Sequence, residues 1–161
     1  MRAVHWLFVV SVALFVCGIG FVVIGARPSR DAAPADAPAL TPVASVKQIM
    51  GSIVSPGANA VYNAVGSSVT AKGIETIAPK NDEEWATLGN TAAALVEAGN
   101  LLLIGDRAVD RGDWVTMTRE MMAAGTEVLK ATEKKDADAV LNAGSNLNTS
   151  CDNCHQKYQR Q

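Results

Sequence analysis

The C-terminal stretch Cys151-Asp152-Asn153-Cys154-His155 constrains the fold of this chain more than any other feature. Its two cysteines are three residues apart, and its histidine follows the second one directly. In an α-helix, residues i, i+3 and i+4 share one face, so the two thiols and the imidazole would point towards one object. At this spacing two sulfurs can add to the vinyl groups of a porphyrin while the histidine reaches its iron. We therefore predict one covalent haem c, held by Cys151, Cys154 and His155.

Two other uses of a cysteine pair stay open as alternatives. A zinc site takes four ligands, and outside this stretch the chain offers only Cys17 and His5, with acidic side chains as less usual partners. A thioredoxin-like dithiol needs C-x-x-C at the start of a helix within a βαβ pattern, and the sequence near Cys151 has no strand pattern.

Composition predicts one helical domain. The chain has 161 residues, of which 48% are hydrophobic and only 5% aromatic. Such a composition suits packed helices better than a β-sandwich. A formal charge of −2 gives no indication of a nucleic-acid surface. Two of the three cysteines lie in the haem motif, so no disulfide framework is predicted.

The N-terminal region predicts attachment to a membrane. Residues 3–26 contain no Asp, Glu, Lys or Arg and are long enough to cross a bilayer as a helix. We predict a transmembrane anchor over residues 1–26, with a cleaved signal segment as the alternative. Residues 27–41, rich in Ala and Pro, predict a mobile linker to a haem domain over residues 42–161. Because bacterial haem attachment to C-x-x-C-H occurs outside the cytoplasmic membrane, the domain is expected on the periplasmic side of the inner membrane, or soluble in the periplasm after cleavage.

The first helix of the domain is expected to begin with Thr41 as N-cap and Pro42 as first residue. Ser55-Pro56 predicts a break or kink within it. Residues 66–80, with two glycines and a proline, are expected to form a long loop. The predicted core side chains of the first helix are Val43, Val46, Met50 and Ile53, followed beyond the break by Ala58, Val61, Tyr62 and Val65.

Three further amphipathic helices are predicted, with Asn81, Asp113 and Asp136 as their N-caps. Alternating spacings of three and four residues mark one apolar face on each helix. The predicted core residues are Trp85, Leu88, Ala92, Leu95, Gly99 and Leu102 in the second helix, Trp114, Met117, Met121, Ala124, Val128 and Ala131 in the third, and Val140, Gly144, Leu147, Cys151, Cys154 and Tyr158 in the fourth.

Four such helices with the haem motif in the last resemble the class II c-type cytochromes, the cytochrome c′ family, over residues 41–161. Besides the C-x-x-C-H motif, Tyr158 and Trp114 carry the resemblance. It implies an all-α fold, an antiparallel up-down-up-down four-helix bundle with the haem inside one end. It also implies His155 as the proximal iron ligand and a first-helix residue, by position Met50, over the opposite iron face. Many relatives carry an arginine where this chain has Gln159.

The expected function depends on the sixth iron ligand. With Met50 as distal ligand, the iron would be six-coordinate and low-spin, which suits a membrane-tethered electron carrier serving redox partner proteins of a respiratory chain. Met117, Met121 or Met122 are alternative ligands. Without a sixth ligand, the iron would bind NO or CO as a sensor or scavenger. The resemblance also allows a homodimer.

No enzymatic activity is predicted, because the only histidine of the domain is assigned to iron and no second set of catalytic side chains can be assembled. A turn of mixed charge, which contains Asp106, Arg107, Asp110, Arg111 and Asp113, is interpreted as a solvated connection, with docking of a redox partner as the alternative.

Overall fold

The computed structural model describes residues 5–7, 10–12, 14–15 and 40–159. The chain divides into two compact units, Met1–Ala39 and Leu40–Gln161. Most of the predicted anchor and linker lies outside the described residues. Within the described stretches, no helix combines the length and the apolar character that crossing a bilayer requires.

The second unit is mostly helical, as the composition predicts. The five α-helices are α1 (Val46–Ile49), α2 (Ser55–Ala64), α3 (Asp82–Leu102), α4 (Asp113–Glu133) and α5 (Ala137–Tyr158). Between them lie a π-helical turn (Met50–Val54), the strands β1 (Gly66–Thr70) and β2 (Gly73–Ile77), and a 3-10 turn (Gly105–Arg107).

The first helix begins later than predicted, because Ser45 and not Thr41 is its N-cap. The Ser45 hydroxyl accepts a hydrogen bond from the Gln48 backbone N–H at 3.2 Å, and the Gln48 side chain accepts one from the Ser45 N–H at 2.9 Å. This reciprocal capping box satisfies two otherwise unpaired donors. Thr41 has Ala44 three residues later, which cannot complete such a pair.

Of the break or kink predicted at Ser55-Pro56, the break does not occur: helical backbone continues from Val46 to Ala64, and a π-helical turn interrupts the regular α-helix just before Ser55. A proline lacks an N–H and crowds the carbonyl four residues before it. The wider π-helical turn lies just before Pro56, and in it the Ser55 N–H bonds to the Met50 carbonyl five residues back. We infer that this wider turn accommodates the proline without ending the helix.

The π-helical turn also changes which side chains of the first helical stretch enter the core. Two successive buried residues, Ile49 and Val54, are five positions apart. A regular helix brings residues three or four positions apart to the same face. The predicted Met50 and Ile53 are only partly buried, and Val43 is 91% exposed. The buried side chains are Ile49, Val54, Ala58, Val61 and Val65.

Residues 66–80 do not form the predicted loop, and the unit is not all-α. Strands β1 and β2 form an antiparallel hairpin in which Val69 lies opposite Ile74. The β-branched residues of these strands favour extended backbone, and Gly73 adopts the positive φ of 122° that follows the two-residue turn. Val69 and Ile74 are 82% and 76% exposed, so the hairpin contributes little to the core.

The capping predictions for α3 and α5 are confirmed, and that for α4 is wrong. Asn81 and Asp136 accept hydrogen bonds from the backbone N–H groups of Glu84 and Ala139, each at 2.9 Å. Asp113 is instead the first residue of α4. Asp110 takes the capping role there, because its Oδ1 accepts from the N–H groups of Gly112 and Trp114.

The three predicted stripes form most of the core. All six predicted residues of α3 are buried, whereas Met117 and Ala124 of α4 and the last three residues of the α5 stripe are partly buried. Helix α3 packs on α4, α4 on α5, and α2 on both α3 and α5.

Two groups of contacts mark opposite ends of these helices. At one end, which we call the Trp114 end, the Trp114 indole N–H donates to the Leu102 carbonyl at 3.0 Å, and its ring meets the Tyr158 ring edge-on. At the other end, the Lys135 end, Lys135 pairs with Asp82 at 2.8 Å.

Candidate haem-binding site

The two cysteines of the motif lie on the last turns of α5, along the face that enters the core. Val140, Gly144 and Leu147 are buried on this face, and Cys151 and Cys154 extend it with half-buried side chains. Both thiols are free. One helix therefore presents two unpaired sulfurs, one turn apart, at the border between the core and the solvent.

Burial sets the protonation of these thiols. Loss of hydration raises the pKa of Cys151, and a hydrogen bond from Tyr62 only partly opposes this. Loss of hydration also raises the pKa of Cys154, and the charge of Cys151 adds to the effect. Redox-active dithiols have a lowered thiol pKa. The raised pKa values of Cys151 and Cys154 are thus unlike those of a thioredoxin-like pair.

Tyr62 of α2 reaches the first cysteine, a contact that the sequence did not predict. Its hydroxyl lies 4.0 Å from the Cys151 sulfur, and burial raises the pKa of Tyr62 above its usual range. The two helices are close at this level, since a Cβ on Gly144 would lie 3.4 Å from Val61 Cγ1. The helical stripe had assigned Tyr62 only to the core.

His155 is exposed at the rim of the same helix face. It follows Cys154 by one residue, which turns its side chain by about 100° around the helix, away from the core. With Asp152, Gln156 and Gln159 it borders a shallow surface depression of about 400 Å³. Neither Cys151 nor Cys154 is among the residues that line this depression.

Met50 is half-buried and is the first residue of the π-helical turn. It packs against the core cluster, as Cys151 and Tyr158 do. Met50 and His155, the two predicted iron ligands, lie in helical segments that terminate at the Trp114 end. Six residues before Met50, the Ala44 carbonyl accepts a hydrogen bond from Arg107. Three residues after His155, Tyr158 donates one to Asp110.

The alternative methionines are placed differently. Met121 and Met122 fill the interface between α3 and α4, where a Cβ on Gly99 would collide with Met122 and touch Met121. Met117, one turn earlier on α4, is partly buried. Met121 and Met122 are therefore less suited to bind a ligand at α5, whereas Met50 and Met117 are both only partly buried.

Among the residues that the structure describes, no group of three or more His, Cys, Asp and Glu side chains is arranged to hold a metal ion. A haem iron takes four ligands from the porphyrin and needs at most two from the protein. The residues present fit such a group: two free thiols on one helix face, a histidine next to them, and a methionine at the same end of the unit.

Comparison with known proteins gives no relative: no family model, no curated protein and no solved structure matches this chain. The function of the chain has to be inferred from its own residues and their geometry.

Proposed function

We propose that this chain is a monohaem c-type cytochrome that acts as a membrane-tethered electron carrier in the periplasm. Cys151 and Cys154 bind haem c through thioether bonds, His155 is the proximal iron ligand, and Met50 is the distal ligand. The observation that carries this proposal is the C-x-x-C-H motif on the last turns of a helix, with both sulfurs free, half-buried and on the core-facing side.

The proposed fold of the haem domain is an up-down-up-down four-helix bundle of the cytochrome c′ type, with an added hairpin. Contacts at the Trp114 end support it, because they join the start of α4 to the ends of α3 and α5. The Lys135–Asp82 pair joins the start of α3 to the turn between α4 and α5 at the other end. Consecutive long helices would then run in opposite directions.

The helix register supports Met50 as the partner of His155. Gly144 lies against Val61, which fixes one level of contact between α5 and the first helical stretch. Met50 precedes Val61 by eleven residues, and His155 follows Gly144 by eleven. If the two helices run antiparallel, these equal steps of about 16 Å bring both residues to one level.

The proposed electron-transfer function follows from this ligand pair. A thioether sulfur opposite an imidazole gives haem iron a raised potential and little reorganisation on electron transfer. The apolar side chains of the core around Cys151 exclude water from one side of the site, while exposed His155 marks the side where a redox partner could approach. The partner proteins would belong to a respiratory chain.

One observation favours a second candidate, a gas-binding protein of the same fold. Ile49 and Val54 are buried, whereas Met50 is only half-buried. If Met50 does not bind the iron, the open site would accept NO or CO, and the protein would act as a sensor or scavenger.

An optical experiment separates the two candidates. We expect the reduced wild-type protein to be low-spin and to bind CO slowly or weakly, and Met50→Ala to become high-spin and bind CO readily. Met117→Ala serves as the control and should keep the wild-type spectrum. Prompt and complete CO binding by the wild type would support the gas-binding candidate. A mature protein without haem-peroxidase staining after denaturing electrophoresis would contradict both.

A further inference from the structure

The mixed-charge turn over residues 105–113 is largely exposed, as its composition predicts, but two of its charged residues, Arg107 and Asp110, are half-buried. Arg107 is half-buried and directed inwards. Its Nε donates to the Ala44 carbonyl at 2.9 Å, and its Nη1 donates to the Leu101 carbonyl at 3.0 Å. One guanidinium therefore ties the end of α3 to the residues just before the first helix, which are far from it in sequence.

The same turn also holds the end of α5. Asp110 accepts a hydrogen bond from the Tyr158 hydroxyl, and Asp113 pairs with Lys157. Tyr158 in addition packs its ring against Trp114. The turn thus contacts both segments that carry the proposed iron ligands, Met50 through Arg107 and His155 through Asp110 and Asp113.

The Arg107 contact lies at the start of the helical stretch that carries Met50. Helix α1, the first part of this stretch, has four residues and packs on α3. It continues directly into the π-helical turn, in which the hydrogen-bond pattern differs from that of a regular helix. On its N-terminal side, the Ser45–Gln48 box caps the helix but does not connect it to another one. The Arg107–Ala44 hydrogen bond adds a polar connection to the packing of this segment on α3, where Ile49 is buried.

We propose that Arg107 is a positioning residue for the iron ligand: it fixes the Ala44–Met50 segment against the turn that also holds α5, and so keeps Met50 in place opposite His155. The part of this inference that concerns Met50 ligation rests on the proposed function. The part that concerns the helical segment does not, because it can be measured without reference to the iron.

The test compares Arg107→Met with Arg111→Met in the haem-loaded full-length protein. Arg111 lies in the same turn but is exposed, so its substitution removes the same charge without the buried contact. In Arg107→Met we expect the amide hydrogens of residues 46–50 to exchange faster. If the fraction of iron without methionine rises from about 1% to about 10%, the apparent CO affinity rises about tenfold. Arg111→Met should change neither quantity.

Several results would overturn the inference or separate it from the proposed function. An Arg107→Met protein with lower thermal stability but unchanged CO binding and unchanged exchange over residues 46–50 contradicts it. In the double variant Arg107→Met/Met50→Ala, CO binding should equal that of Met50→Ala alone, and a further increase counts against positioning of Met50. If the wild type already binds CO promptly, Met50 ligation fails, and the exchange of residues 46–50 alone decides whether Arg107 fixes this segment.

Discussion

Asp110 accepts hydrogen bonds from three groups at the Trp114 end. The Tyr158 hydroxyl is the first of them, and the N–H groups of Trp114 and Gly112 are the others. The bond from Tyr158, followed by that from Trp114, lowers the pKa of Asp110 below the usual 3.8. A carboxyl whose pKa is lower in the folded state stabilises the fold above its unfolded pKa and loses that contribution as the pH falls through the folded value.

Asp110→Asn should therefore change both the free energy of unfolding at neutral pH and the way in which this free energy depends on pH. We expect the variant to be less stable than the wild type at pH 7, and to lose less further stability between about pH 4 and pH 2. Urea unfolding at several pH values measures both quantities. Asp106→Asn, an exposed change in the same turn, is the control. If the wild type and Asp110→Asn lose the same amount of stability as the pH falls, the hydrogen-bonded Asp110 carboxylate does not stabilise the fold as expected.

Helix α5 gives a direct comparison between its two faces. Leu147 is fully buried, one turn before Cys151, whereas Leu141 on the same helix is 49% exposed. Removing a buried leucine side chain loses transfer energy and leaves a cavity. We expect Leu147→Ala to lower the free energy of unfolding by about 2 to 5 kcal/mol, and Leu141→Ala to change it by less than about 1 kcal/mol. If urea unfolding shows the same loss of free energy of unfolding for Leu147→Ala and Leu141→Ala, the buried face of α5 is assigned wrongly.

The elements that the sequence predicts well are those with a regular local pattern. Trp85, Leu88 and Leu95 recur at helical spacing and are all buried. The first helical stretch is less predictable because its pattern depends on one wide turn. A regular period assigns Met50 and Ile53 to the core, whereas the π-helical turn brings in Ile49 and Val54.

The hairpin was missed for a different reason. Its strands have two exposed faces, so they lack the alternation of polar and apolar side chains that identifies a half-buried strand. The glycines that suggest a loop also permit a tight turn, and the choice between the two depends on the pairing of residues such as Val69 and Ile74 across the strands, which the composition does not specify.

In the whole molecule, some residues of the candidate site are close together in the sequence, and others reach it from distant parts of the chain. Cys151, Cys154 and His155 can be predicted from spacing alone, because one helix carries all three. Tyr62 and Arg107 contact the site or its supporting segments across 89 and 63 residues of chain, respectively. Such contacts depend on how the helices pack, and no local pattern marks them.

The proposed function predicts that loss of haem affects the two ends of the domain unequally. In a Cys151→Ala/Cys154→Ala variant, we expect no covalent haem and a looser Trp114 end, because the half-buried side chains near α5 would lose their packing partner. Amide exchange should increase most near Met50 and His155 and least near the Asp82–Lys135 pair. A uniform increase along the chain would indicate that haem supports the whole fold. Haem-peroxidase staining verifies the loss of the group.

The hairpin has a practical consequence. Its turn residues Ala71 and Lys72 are exposed, and Val69 and Ile74 beside them project into solvent, so the helices do not depend on the length of this segment. Sites of this kind tolerate inserted sequence because no buried backbone is disturbed. An affinity tag or a fluorescent reporter placed between Ala71 and Lys72 would leave the first helical stretch and the C-x-x-C-H motif of α5 unaltered.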